Sequence, residues 1–104
     1  MNQCKIRRLC VEGAIEWTEH VAIRMIQRGI SREDVEHVLL TGEVIEDYPT
    51  DTPFPSCLLL GGVNSTTLHV VCGIADISLW VITAYQPDSK KWHSNNKTRK
   101  EQPQ

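Results

Sequence analysis

His20, Arg24 and Arg28 follow one another at i, i+4 and i+8, with Gln27 beside them, so a helix would gather them into one polar stripe. Two guanidiniums a turn apart can clamp phosphate oxygens in a bidentate fork that lysine cannot copy. A histidine in the same stripe can serve as general acid or base. The competing reading is a solvated helix face, or arginines paired with acids elsewhere in the chain. A second histidine, His69, stands inside the apolar run Leu68-His-Val-Val-Cys72. Strand alternation puts it on one face with Val71 and Gly73, and the glycine leaves room for something to approach that face. Its alternative is a partly buried histidine satisfied by a backbone group. Tyr85 and Thr83 could hydrogen-bond a ligand from the end of the last strand, or simply pack and rim the sheet.

Other chemistries find less support. Cys4, Cys10, Cys57 and Cys72 form no Cys-x-x-Cys pair, and His20, His37, His69 and His93 are scattered, so neither a metal nor another cofactor is expected. Three of the cysteines, Cys10, Cys57 and Cys72, read as small core side chains. Ser56 lacks the flanking glycines of a nucleophile elbow.

The stripe needs a rigid helix under it. Thr18 can cap a helix over Glu19–Arg28 that Gly29 ends. Val21, Ala22, Ile23, Met25 and Ile26 give it a wide apolar arc, which predicts a mostly buried element showing a single polar seam. Before it, Ile6, Leu9 and Cys10 share one face of a helix from Gln3 to Glu12, and Ala14–Trp17 is a short extended piece. After it, Ser31-x-x-Asp34 is a capping-box pattern opening a helix that buries Val35, Val38 and Leu39 and stops at Gly42. The period then becomes extended. Strands are expected at Val44–Tyr48, Cys57–Val63, Leu68–Ala75 and Leu79–Gln86, with a proline-rich loop at 49–55 and hairpin turns at 64–67 and 75–78. Short turns make these strands antiparallel neighbours. The expected fold is therefore α+β, with N-terminal helices on a roughly four-stranded antiparallel sheet. Residues 1–90 would form the single domain and 91–104 a flexible basic tail.

Net charge is −2, unevenly spread. Residues 1–32 carry six Lys/Arg against three acids, residues 33–88 nine acids and no Lys or Arg, and residues 89–104 five Lys/Arg against one Glu. The basic ends, including Lys90, Lys91 and Arg99, could form one nucleic-acid-binding surface, or could be solvated tail and helix faces. With neither a secretory signal nor an apolar run of membrane length, a cytoplasmic protein without membrane contact is expected.

Taken together, His20-x3-Arg24-Met25-x2-Arg28-Gly-Ile-Ser, Gly42-Glu-Val-Ile-Glu-Asp-Tyr-Pro49, Leu68-His-Val-Val71 and Ile82-Thr-Ala-Tyr-x-Pro87 resemble a small bacterial domain-of-unknown-function family over about Trp17 to Trp92. That family is similar to RelE-like toxin ribonucleases and BrnT-like toxins. The resemblance implies helices packed on an antiparallel sheet and metal-independent RNA cleavage, with a small antitoxin-like protein as a second partner. It also implies roles for matching positions: His20 or His69 as base or acid, Arg24 and Arg28 as phosphate clamps, Tyr85 as a polar partner. RelE-type toxins are strongly basic, whereas this chain has a sequence pI near 6.0. Without catalysis, the same fold would be a module binding a protein or a small anion.

Overall fold

The computed structural model describes residues 3–88 and Lys97. Three helices, α1 (Gln3–Val11), α2 (Glu19–Arg28) and α3 (Arg32–Thr41), accompany five strands: β1 (Ile15–Trp17), β2 (Glu43–Tyr48), β3 (Ser56–Val63), β4 (Thr66–Ile74) and β5 (Leu79–Tyr85). The strands form one sheet in the order β1-β5-β4-β3-β2. β2 to β5 are the antiparallel meander expected from their short turns. The sheet is not purely antiparallel, however. Ile15–Trp17 adds a fifth strand, parallel to β5, with Ile15 opposite Leu79 and Trp17 opposite Val81. The segment read as extended is thus a strand, but its partner lies far along the chain, so local pattern could not assign it to the sheet.

Helix boundaries follow from their caps. The Thr18 hydroxyl accepts from the Val21 amide at 3.1 Å. Gly29 closes α2 at φ +68°, and the Ile30 amide reaches back to the Met25 carbonyl at 2.9 Å, with both side chains buried. This is a Schellman ending, in which glycine takes the left-handed position and an apolar pair seals it. At α3, the Ser31 side chain accepts from the Asp34 amide while the Asp34 carboxylate accepts from the Ser31 amide. Both halves of the capping box are present, worth about 1 kcal/mol against an alanine cap.

The helices cover one sheet face. Ile6, Leu9, Val35, Val38 and Leu39 pack there against Leu59, Val70, Cys72 and Val81. Gly61 permits the closest approach, since a Cβ on it would lie 2.9 Å from Val38 Cγ2. The alternating residues Leu58, Leu60, His69, Val71, Gly73 and Tyr85 belong to the second face.

α2 departs from the expected mostly buried helix. Its tertiary contacts are chiefly with β5, at one side of the helical layer, and only Val21 and Met25 are buried. Ile23 and Ile26 are 48% and 80% exposed. Among the described residues no helix is long and apolar enough to cross a membrane.

Candidate functional site

β5 organises the site, and its irregularity matters. Val71 of β4 faces Thr83 and Cys72 faces Val81, so Ile82 is an extra residue opposite no partner. Such a bulge re-aims the side chains around it. β1 pairs only with Leu79–Val81, so the outer edge of β5 continues past it. Arg28, at the end of α2, reaches that stretch: its Nη1 donates to the Ala84 carbonyl at 2.9 Å and to Thr83 Oγ1 at 3.3 Å. A guanidinium has five N–H donors. Nη2 and Nε make no further hydrogen bond among the described residues.

Tyr85 follows directly and faces His69 across the β4–β5 ladder. The phenol oxygen lies 3.3 Å from His69 Nδ1, with the rings edge to face at 5.3 Å. His69 is fully buried and Tyr85 half-buried. At roughly 3.3 Å per residue, Thr83 and Tyr85 are about 7 Å apart along the strand. The Arg28 anchor and the Tyr85–His69 pair are therefore neighbours along the end of β5.

The other members of the stripe go elsewhere. His20, Arg24 and Gln27 are exposed on α2. α2 packs on the helical face of the sheet and His69 belongs to the other face, so the two candidate histidines do not converge. Lys90, Lys91 and Arg99, and the tail expected over 91–104, lie outside the described residues except for Lys97, whose ammonium pairs with Glu43 at 2.7 Å. No group of three or more His, Cys, Asp or Glu that could hold a metal ion occurs among the described residues.

Two features escaped the sequence reading. Arg32, the first residue of α3, lies over the Trp17 ring at 5.2 Å, a cation–π contact joining α3 to β1. On the second sheet face, a cleft of about 310 Å³ is lined by Thr18, Thr52, Phe54, Gly73, Trp80 and Ile82. The room left by Gly73 was a signal for it. Its aromatic walls come from a proline-rich loop and a strand, which no local pattern connects.

A family described as a domain of unknown function, DUF4258, matches residues 17–86. No curated protein and no solved structure matches the chain. The matched span runs from β1 to just past β5, so it contains every residue of the Arg28–Tyr85–His69 cluster.

Proposed function

Because the chain belongs to the DUF4258 family, a resemblance to RelE-like toxins can be weighed against its own geometry, and we propose that it is a toxin-like ribonuclease cleaving RNA without a metal. One observation carries the reading. The guanidinium of Arg28 is anchored on Thr83 and Ala84, and the next residue of β5, Tyr85, is hydrogen-bonded to His69.

In this reading Arg28 is the phosphate clamp. Its Nη1 is held by protein acceptors, and Nη2 and Nε donate to the non-bridging oxygens on which charge grows. Tyr85 is the group at the substrate, and His69 acts through it. With the His69 proton assigned to Nε2, Nδ1 accepts the phenol proton as the phenol oxygen takes the proton of the ribose 2′-hydroxyl. The 2′-oxygen attacks phosphorus, the bond to the 5′-oxygen breaks, the leaving oxygen takes a proton from Tyr85, and His69 returns the phenol proton to Tyr85 from Nδ1. The products are a 2′,3′-cyclic phosphate and a 5′-hydroxyl. His20 and Arg24, exposed on α2, supply further backbone contacts, and the basic sequence around Lys90, Lys91 and Arg99 would add to them.

The test is incubation of the full chain with single-stranded RNA in excess chelator. Cleavage leaving cyclic phosphate ends is expected, reduced at least about 100-fold by Tyr85→Phe and by Arg28→Ala, since losing one stabiliser of a developing oxyanion costs about 10²–10³ in rate. Intact RNA with the wild-type chain overturns the reading.

A different observation favours a second one. Ile26 is 80% exposed and Ile23 48%, flanked on α2 by Arg24 and Gln27. An apolar pair with a polar rim that carries the cation of Arg24 suits an amphipathic protein segment with an acidic residue at its edge, such as a small antitoxin-like partner. Under that reading Ile26→Asp abolishes complex formation while Tyr85→Phe leaves it intact.

A further inference from the structure

The cleft on the second sheet face is lined by Trp80 to Ile82 of β5, directly before Thr83, and has aromatic walls. Phe54 and Trp80 both line it, their ring centroids 6.4 Å apart and their planes inclined by 21°. Both rings are half-buried, so each is fixed yet keeps accessible surface. Gly73 forms the floor. A Cβ there would make ordinary van der Waals contact with Ile82 Cδ1 and Trp80 Cβ at 3.7 Å and with Phe54 Cβ at 3.9 Å, so strand packing does not require the glycine, and any larger side chain would enter the space between the rings.

The walls are built before any ligand arrives. The Ser56 hydroxyl, fully buried, donates to Asp51 Oδ2 at 2.6 Å, and the Ile74 amide donates to the Pro55 carbonyl at 2.8 Å. These bonds pin both ends of the short loop carrying Phe54. Thr18 also lines the cleft, and its hydroxyl accepts from the Val21 amide while its own proton remains available to a ligand.

We propose that this cleft is a nucleobase subsite, in which a planar base of a single-stranded RNA stacks on Trp80 and Phe54 while the neighbouring phosphate meets Arg28. The inference rests on the ribonuclease reading above. Three facts select a base over another apolar occupant: two near-parallel aromatic faces, a polar donor at the rim, and continuity along β5 with a guanidinium that has donors to spare. Ile82 lines the cleft and is followed at once by Thr83, which holds Arg28. Stacking tolerates every base, so the cleft fixes the position of a nucleotide and the Thr18 and Thr52 hydroxyls give the only edge readout.

The probe is a short 2′-O-methyl RNA, which cannot be cleaved, carrying one 2-aminopurine, compared with the same strand abasic at that position. Binding of the base-containing strand should quench 2-aminopurine fluorescence. Trp80→Ala should remove the quench and weaken that strand about tenfold or more while leaving the abasic strand unchanged. Trp80→Phe should restore affinity, and Gly73→Val, which fills the floor without removing an aromatic ring, should repeat the loss. Arg28→Ala should weaken both strands. Equal affinity of wild type and Trp80→Ala for the base-containing strand, with Arg28→Ala still weakened and RNA still cleaved, overturns the subsite and leaves the ribonuclease reading standing. Failure of the wild-type chain to bind either strand or to cleave RNA overturns both.

Discussion

The guanidinium of Arg28 hydrogen-bonds the Ala84 carbonyl at 2.9 Å, tying the last turn of α2 to the outer edge of β5 where β1 no longer covers it. An edge carbonyl left without a strand partner needs either water or a side-chain donor, and here the donor is a cation from the next layer.

Arg28→Lys separates the edge anchor from the phosphate clamp. An ammonium cannot hold the Ala84 carbonyl, Thr83 Oγ1 and a phosphate in one plane. Arg28 is exposed and water can replace its bond to the edge, so the cost in stability should be about 1 kcal/mol or less. Cleavage should fall at least tenfold. Urea unfolding gives the first quantity and RNA cleavage the second. Loss of stability and activity in equal measure would assign Arg28 a purely structural role.

A tight approach of α3 to β3 predicts an asymmetric pair of substitutions. The Cβ of Gly61→Ala would lie 2.9 Å from Val38 Cγ2 and 3.0 Å from Val38 Cγ1, inside contact distance, so a cost of about 1–3 kcal/mol is expected. Val38→Ala removes both methyls and leaves a cavity. Combined, the two changes should cost less than the sum of the singles, because the added methyl enters the vacated volume. Urea midpoints of the four proteins decide it, and strict additivity would show that the contact is not limiting.

Sequence reading succeeded where the determinants are local. Gly29 and the Ser31–Asp34 box dictated their helix ends through side chains within three residues of the backbone groups they satisfy. Short turns dictated the meander, although the turn expected over 64–67 is only the two residues Asn64 and Ser65, both at positive φ, and β4 already begins at Thr66. It failed where packing between distant segments decides. The apolar arc of α2 was legible, but α2 meets little besides β5, so Ile23 and Ile26 stay outside. His20, Arg24 and Arg28 share a stripe, yet only Arg28 is long enough and close enough to reach the sheet edge. Phe54 and Trp80 come together because a loop folds back over Gly73, which spacing along the chain does not encode.

Cys10 predicts a pH dependence of stability. Burial, and secondarily the negative charge of Glu36, push its thiol above the ordinary value of 9.0. In the unfolded chain the thiol ionises near that ordinary value, while in the native protein it stays protonated to higher pH. Below about pH 8 both states hold the proton and Cys10 contributes no slope. From about pH 9 upward the unfolded state binds fewer protons, so stability falls as pH rises. Urea midpoints between pH 7 and 10 should show this decline, and Cys10→Ala should make it shallower. A decline unchanged by the substitution would assign it to other groups.

Cys57 and Cys72 face each other across the β3–β4 ladder, both buried, with their sulfurs 3.8 Å apart. Their mutual hydrogen bond and burial push the Cys72 thiol up, so Cys72 rests as a thiol in the native core, while the same hydrogen bond lowers Cys57. Thiolate is the reacting form, and an oxidant needs access, so oxidation should be slow while the core is closed. Directly opposed residues on neighbouring strands have Cα atoms within the range a disulfide spans, so closing the bond needs side-chain rotation rather than a new fold. Diamide, a two-electron oxidant, takes one hydrogen from each thiol as it is reduced to its hydrazine, and the protein loses two hydrogens. Under native conditions cross-linking should be slow, and it should accelerate in urea near the unfolding midpoint. Once formed, a link closing a loop of this length should stabilise by up to about 3 kcal/mol. Mass spectrometry after alkylation in denaturant measures the reaction, with Cys72→Ala as the control. Rapid cross-linking in the absence of urea would mean that the β3–β4 face opens far more often than a core so closely packed allows.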